Sequence, residues 1–206
     1  MPRPMIDRRH FAKGLLLSGA ATGLPLPLAA APTRNLRAAA IQMTAALGDV
    51  SVNLAQAEEL VRAARSKGAE LIVLPEMFSS VMGFHDDVLK AIRPIDGAPK
   101  QLMHKLAREG RALVGGSFLA RDGDDVFNSF LMVSPDGSYV RHDKDHPTLW
   151  ENCYYRPGSD DGVLATSYGP VGAALCWELI RAKNPKAAAR QGEARRRRIV
   201  LVDPAQ

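Results

Sequence analysis

The chain has 206 residues, of which 46% are hydrophobic and 24% are charged, and its net charge is +5. Two cysteines are too few for a disulfide framework, and no CxxC pair or histidine–cysteine cluster has the spacing of a metal site. The basic excess lies at the two ends of the chain, so the body offers no basic surface of the kind that binds nucleic acid.

The N-terminal segment has the pattern of a twin-arginine export signal. A pair of arginines and a lysine within residues 7–13 precede an apolar stretch at residues 14–28, which three alanines follow. These are the charged region, the apolar region and the cleavage site of an exported precursor. A membrane anchor is the weaker interpretation, because glycines and prolines interrupt the short apolar stretch. We expect a signal peptide at residues 1–31, a periplasmic or extracellular location, and one domain at residues 32–206.

From residue 36 onwards, predicted strands alternate with helices. Apolar residues at helical spacing predict a first helix, which Ser51 or Asn53 can cap and Gly68 ends, and a second over residues 99–110. The turn sequence SPDG at residues 134–137 predicts that its two flanking strands form a hairpin. This order of elements predicts one α/β domain with a mixed sheet. The predicted strands cover residues 36–43, 70–74, 112–119, 127–133, 139–142 and 171–175.

Three chemically useful side chains, Glu76, Lys144 and Cys176, come just after the ends of predicted strands. Functional groups of α/β sheets gather where strands end. A cysteine attacks as the thiolate, so it needs a base, and Glu76 is placed to take its proton. Lys144 and the backbone N–H of Trp177 can stabilise the negative charge that develops on a substrate. This chemistry requires no metal and no organic cofactor.

Each of these side chains also has an ordinary structural interpretation. A cysteine after an apolar run is more often a buried small hydrophobe, and a strand-end glutamate is more often solvated. Lys144 lies between two aspartates, a setting typical of a surface ion pair. His142 and His146 flank Lys144, but together with Asp143 they are weak evidence for a metal site. The order of the three side chains and their flanking residues favour catalysis.

The three motifs together resemble those of the carbon–nitrogen hydrolase family, which comprises nitrilases and related amidases. The LPE sequence ending at Glu76 is similar to the segment of the family's general base, and the CWE sequence beginning at Cys176 to its nucleophile segment. Lys144, followed by PTLWE, is similar to the family's lysine and second glutamate, here Glu151. The resemblance covers about residues 36–181.

What the resemblance implies can be stated as expectations. The fold would be a nitrilase-like αββα sandwich, usually dimeric or larger, with a Glu76–Lys144–Cys176 triad and no cofactor. Glu151 would orient Lys144 or assist proton transfer. The reaction would be hydrolysis of a non-peptide C–N bond in a small nitrile or amide, through a thioester or thioimidate on Cys176. Nucleic acid and, beyond export, membrane are not expected partners.

The C-terminal part departs from the resemblance, since family members continue well past the nucleophile. Here residues 184–198 are rich in alanine and arginine, and one apolar run follows at residues 199–202. We expect that run to be the next sheet strand, reached through a helix over residues 185–193. The alternative is a family member shortened after about residue 181, inactive, and acting as a partner subunit or a non-functional fragment.

The sequence leaves the substrate open. Cys153 is close to Glu151 in the chain, and a disulfide between Cys153 and Cys176 would abolish activity. Six aromatic residues are equally consistent with a pocket for an apolar or aromatic group and with ordinary packing, namely Phe78, Phe84, Trp150, Tyr154, Tyr155 and Trp177.

Overall fold

The computed structural model describes residues 36–81, 83–166 and 169–179 and the strand at residues 199–202. The expected signal peptide and the helix expected over residues 185–193 lie outside this part of the chain. No helix within it is long and apolar enough to cross a membrane. The elements in chain order are β1 (Ala38–Ala40), α1 (Val50–Ser66), β2 (Leu71–Val73), α2 (Asp87–Lys90), β3 (Arg93–Pro94), α3 (Ala98–Gly110), β4 (Leu113–Asp122), β5 (Asp125–Val133), β6 (Tyr139–Asp143), a 3₁₀ turn (Leu149–Cys153), β7 (Val163–Thr166), β8 (Gly169–Leu175), a 3₁₀ turn (Cys176–Leu179) and β9 (Ile199–Val202).

The strands form two sheets. In the first sheet the order is β1-β2-β4-β5-β6, with β3 beside β4. Strands β1, β2 and β4 run parallel, whereas β5 is antiparallel to both of its neighbours. In the second sheet β8 lies between antiparallel β7 and parallel β9. The hairpin predicted across residues 134–137 is confirmed as the β5–β6 pair, and the strand predicted at residues 199–202 is confirmed as β9.

Helices α1 and α3 cover one face of the first sheet. Their apolar residues recur at three- and four-residue spacing, which puts them on one side of each helix and into a common core with the sheet. Strand β2 shows why the sheet is apolar on both faces, since Ile72 contacts this core while Leu71 and Val73 point the other way. The buried members of this core include Ala57, Val61, Met103, Leu106, Ile72, Leu74, Val114 and Phe118.

The second sheet packs against the other face of the first. Residues of β2, β4 and β5 form a second core with residues of β7 and β8. The described residues therefore stack as helix, sheet and sheet, the first three layers of the expected αββα sandwich. The side chains that join the two sheets are Leu71, Val73, Leu113, Phe130 and Met132 on one side and Leu164, Val171, Ala173 and Leu175 on the other.

The predicted caps of α1 were wrong. Asp49 caps this helix, and its carboxylate accepts hydrogen bonds from the Val52 N–H at 3.1 Å and the Ser51 hydroxyl at 2.8 Å. Asn53 lies inside the helix and is fully buried, with its amide bonded to the backbone of Ala46 and Ser79. A helical periodicity locates the buried side of a helix but does not fix its first residue.

Candidate active site

Glu76 lies in the loop that continues from β2 alongside β4. The Leu74 N–H donates to the Gly115 carbonyl at 2.8 Å, and the Met77 N–H donates to the Ser117 hydroxyl at 2.9 Å. A β-carbon at Gly116 would lie 3.0 Å from the Leu74 side chain, so a residue without a side chain suits this close approach. These contacts hold the loop on both sides of Glu76, which is buried with 3% of its surface exposed.

Lys144 follows β6 and is fully buried. Its backbone N–H donates to the Asn128 carbonyl at 3.0 Å, and its carbonyl accepts from the Gly158 N–H at 2.8 Å. Its ammonium donates to Oε1 of Glu76 at 3.0 Å and to both carboxylate oxygens of Glu151, each at 3.0 Å. The surface ion pair considered from the sequence is therefore wrong for this lysine, which joins two buried glutamates.

Glu151 is held by the 3₁₀ turn Leu149–Cys153. Thr148 and Glu151 form a reciprocal capping box, in which the Thr148 N–H donates to the Glu151 carboxylate. With 2% of its surface exposed, Glu151 is not a solvated side chain. Its carboxylate instead accepts from the Lys144 ammonium through both oxygens.

One residue of this cluster, Asn128, was not found from the sequence, and another, Tyr155, was named there only as a pocket or packing aromatic. Asn128, in the middle of β5, donates its amide to Oε1 of Glu76 at 2.7 Å. Tyr155 is buried, and its pKa is raised above the usual range by burial and by the carboxylates of Glu151 and Glu76. A polar residue inside an apolar strand was the available signal for Asn128. The second oxygen of Glu76, Oε2, has no hydrogen-bond partner within the described residues and can accept a proton.

The pKa values of Glu76 and Lys144 are set by burial together with the neighbouring charges. Burial raises the pKa of Glu76, the nearby Glu151 adds to this, and Lys144 and Asn128 act against it. Burial alone would lower the pKa of Lys144, but Glu76 and Glu151 outweigh it and raise that pKa. Lys144 is therefore an ammonium at neutral pH, and Glu76 is a stronger base than a solvated glutamate.

Cys176 follows β8 and begins the second 3₁₀ turn, with a left-handed φ of 50°. Its thiol is partly buried. Burial and then the Glu76 charge raise its pKa, while Lys144 and the backbone N–H of Trp177 lower it. The thiol thus shares one electrostatic environment with Glu76, Lys144 and Glu151. A raised pKa means that this cysteine needs a base before it can attack.

Of the six aromatic residues, two are buried packing residues, three form a partly exposed cluster, and Trp177 stands apart with 46% of its surface exposed. Phe78 is buried in the core beneath the helices, and Tyr155 is buried beside Glu151. Phe84, Trp150 and Tyr154 pack edge to face, with ring centroids 5.7–6.2 Å apart. Phe84 is 71% exposed. Trp150 and Tyr154 belong to the chain segment that carries Glu151, so this aromatic cluster lies next to the charged one in sequence.

Metal and disulfide chemistry receive no support from the side chains. Within the described residues, no group of three or more His, Cys, Asp or Glu side chains is placed to hold a metal ion. Cys153 and Cys176 are both free thiols, and Cys153 is exposed. The disulfide considered from the sequence is not formed.

Comparison with known proteins independently supports the resemblance to carbon–nitrogen hydrolases. Residues 37–194 match the sequence profile of the carbon-nitrogen hydrolase family. An N-carbamoylputrescine amidase from Solanum lycopersicum is 33% identical over 170 residues, which cover 77% of this chain and 56% of that protein. A nitrilase from Pyrococcus abyssi is 26% identical over 162 residues, which cover 76% of this chain and 62% of that protein.

The fold has counterparts among solved structures. The crystal structure of Saccharomyces cerevisiae Nit3, a member of branch 10 of the nitrilase superfamily, matches with a TM-score of 0.66 at 24% identity. The match covers 82% of this chain and 64% of that one. This likeness confirms the expected nitrilase-like sandwich. The chain spans little more than half the length of the curated relatives it matches.

Proposed function

The chain belongs to the carbon–nitrogen hydrolase family, and from that membership we propose that it hydrolyses a small amide or nitrile through a covalent intermediate on Cys176. The observation that carries the proposal is the buried Glu76–Lys144–Glu151 cluster in the electrostatic environment of the Cys176 thiol. In this arrangement Glu76 supplies a base, Lys144 supplies a fixed positive charge, and Cys176 supplies the nucleophile. The names of the relatives, an amidase and a nitrilase, support the substrate class.

In the first step, Glu76 Oε2 takes the thiol proton while the sulfur attacks the substrate carbon. The electron pair of the C=O or C≡N bond moves onto oxygen or nitrogen, where the Lys144 ammonium stabilises it. For an amide, Glu76 returns the proton to the leaving amine, the C–N bond breaks, and a thioester remains on Cys176. For a nitrile, the same addition gives a thioimidate.

In the second step, water replaces the sulfur. Glu76 takes a proton from the water, whose oxygen attacks the thioester carbon, and Lys144 again stabilises the oxyanion. The sulfur then leaves, takes the proton back, and the carboxylic acid is released. A thioimidate requires two waters, because it first loses ammonia and becomes the thioester.

Glu151 and Asn128 support these steps without touching the reacting atoms. Glu151 holds the Lys144 ammonium through both of its oxygens and keeps it charged. Asn128 occupies Oε1 of Glu76, which leaves Oε2 for proton transfer.

Replacing the nucleophile tests the proposal. Cys176→Ala should reduce ammonia release from a panel of small amides and nitriles to background, because it removes the sulfur on which the thioester forms. Cys153→Ala is the matched control, since Cys153 is an exposed free thiol, and it should retain the wild-type rate. Wild-type activity in Cys176→Ala, or its loss in Cys153→Ala alone, would contradict the proposal.

We also propose that the enzyme is exported in folded form by the twin-arginine route. The support is the sequence pattern of residues 7–31. Replacing both Arg8 and Arg9 by lysine should keep the protein inside the cytoplasm of a bacterial host, and fractionation with antibody detection would show it. Unchanged export of that double variant would contradict the route.

A further inference from the structure

A second charged network lies beside the proposed triad, with His142 and Glu178 buried and Asp160 partly exposed. His142, on β6, is fully buried. Its Nδ1 lies 2.5 Å from an Asp160 carboxylate oxygen, and its Nε2 lies 3.0 Å from a Glu178 carboxylate oxygen. Both ring nitrogens thus face carboxylates, an arrangement that a doubly protonated imidazolium satisfies.

Glu178 connects this ring to the two proposed catalytic segments. Its Oε2 accepts from the Leu175 N–H at 2.7 Å, one residue before Cys176. Its Oε1 accepts from the Asp145 N–H at 2.6 Å, one residue after Lys144. A single buried carboxylate therefore ties the strand end that carries the thiol to the loop that carries the ammonium.

Asp160 anchors the other side of the ring. Its carboxylate accepts from the Asp143 N–H at 2.9 Å and from the Gly162 N–H at 2.8 Å. The chain of hydrogen bonds runs from the loop before β7, through His142 on β6, to the end of β8. It therefore joins both sheets at the edge where the proposed site lies.

The charged groups around His142 favour its protonated form. Burial opposes that form, but the hydrogen bonds to Asp160 and Glu178 outweigh burial and raise the pKa of His142 to about 9. Burial likewise opposes ionisation of Glu178, yet His142 and the Asp145 and Leu175 contacts lower its pKa to about 2. The neighbours on β6, Arg141 and Asp143, pair with each other at 2.8 Å.

We propose that His142 is a positioning residue, which through Glu178 holds the Cys176 turn in register with Lys144. The role rests on the proposed function, because the aligned pair is the proposed nucleophile and the proposed oxyanion-stabilising cation. His142 touches neither group and is not itself a catalytic residue. Positions of reacting groups must hold to within a fraction of an ångström for catalysis, so a clamp between their two backbones has a direct effect on rate.

The first test reads the state of the ring without requiring turnover. In ¹⁵N NMR spectra of the wild-type chain, the signal that disappears in His142→Gln should be that of an imidazolium at pH 8. The same substitution on α3, His104→Gln, is the matched control and removes a different signal. A neutral His142 ring at pH 7 would overturn the proposal. If His142→Gln folds poorly, assignment of the His142 ring through its own backbone resonances in the wild-type chain gives the same reading.

The second test reads the alignment of the site. We expect His142→Gln to slow iodoacetamide alkylation of Cys176 and to lower kcat at least tenfold, with KM changed less than twofold and His104→Gln unaffected. If His142→Gln lowers only the unfolding temperature and leaves both kcat and the alkylation rate of Cys176 unchanged, the positioning role is wrong. If wild-type turnover is absent, the proposed function fails, whereas the alkylation rates and the NMR signal still decide the role of His142.

Discussion

The free energy lost by burying the Lys144 ammonium can be compared with the free energy that its ion pairs return. An ammonium removed from water loses several kcal/mol of solvation, and pairing with a carboxylate only roughly restores it. Lys144 has two buried partners, Glu76 and Glu151, and replacing the three by apolar residues of similar volume would not weaken the fold on these grounds. The cluster is therefore better explained by chemistry than by stability.

Glu76→Gln separates the base from the rest of the site. The amide preserves the shape of the side chain but cannot take the thiol proton, so we expect kcat to fall by about 10²–10⁴-fold at pH 7. Glu59→Gln, on the exposed side of α1, is the control and should leave kcat unchanged. Steady-state ammonia release measures both. A kcat for Glu76→Gln within threefold of wild type would contradict the assignment of the base.

The residues that the sequence predicted differ from those it missed in a physical way. Glu76, Lys144 and Cys176 each follow the end of a predicted strand, so local sequence marks them. Asn128 and Glu178 act through partners 52 and 36 residues away along the chain. Contacts at that separation depend on sheet order and register, which local patterns do not encode.

At the scale of elements, left-handed backbone positions lie at Cys176 and close to Glu76 and Glu151. Met77, directly after Glu76, Leu149, two residues before Glu151, and Cys176 itself all have left-handed φ values of 47–51°. Side chains with a β-carbon rarely adopt this conformation, which is tolerated where the surrounding structure enforces it.

Asn53 ties α1 to the loop that carries Glu76. Its buried amide bonds to Ala46 N at 2.6 Å, Ala46 O at 2.7 Å and Ser79 O at 3.0 Å. Asn53→Ala should lower the free energy of unfolding by about 2–4 kcal/mol, because it leaves buried backbone groups unpaired. Urea denaturation measures this, with exposed Glu59→Ala as the control. A loss below about 0.5 kcal/mol, the size of an ordinary surface substitution, would show that the bridge is not stabilising.

The elements themselves were largely predictable, with informative exceptions. Apolar runs located β2, β4, β5 and β8, and SPDG located the hairpin turn and, with it, β6. The short elements α2, β3 and β7 were missed, because two to four residues are too few for a periodic pattern. The polarity of Asn53 fits a helix start and so predicts a cap. Its side chain instead donates a hydrogen bond to the Ser79 carbonyl, 26 residues further along the chain.

At the scale of the whole molecule, two kinds of contact hold the sheets together. Apolar side chains of β2, β4 and β5 pack on those of β7 and β8. The His142–Asp160–Glu178 network adds buried charge at one edge of that interface. The first kind of contact was expected only in general, from the sandwich that the family resemblance implies, while the second depends on side chains from three separate segments.

The pKa values of this network predict how stability depends on pH. The pKa of His142 is raised from 6.5 to about 9, so its contribution is complete below pH 6.5 and is lost as pH rises through 9. The pKa of Glu178 is lowered from 4.5 to about 2, so its contribution is present above pH 4.5 and is lost as pH falls through 2.

Thermal unfolding between pH 6.5 and 10 measures the His142 contribution. We expect Tm to fall across this range, with a loss on the order of 3 kcal/mol in the free energy of unfolding. His142→Gln should show a flatter Tm profile, and His104→Gln should keep the wild-type slope. An equal slope in wild type and His142→Gln would contradict the predicted ionisation.

Intact-protein mass spectrometry during turnover tests the central claim most directly. A small amide or nitrile that reacts at Cys176 should leave, after acid quenching, a mass increase equal to the acyl or imidoyl group. Peptide mapping should place this group on Cys176, leave Cys153 unmodified, and find no adduct in Cys176→Ala. Hydrolysis by the wild-type chain with no adduct on Cys176, or with the adduct on another residue, would contradict the proposed mechanism.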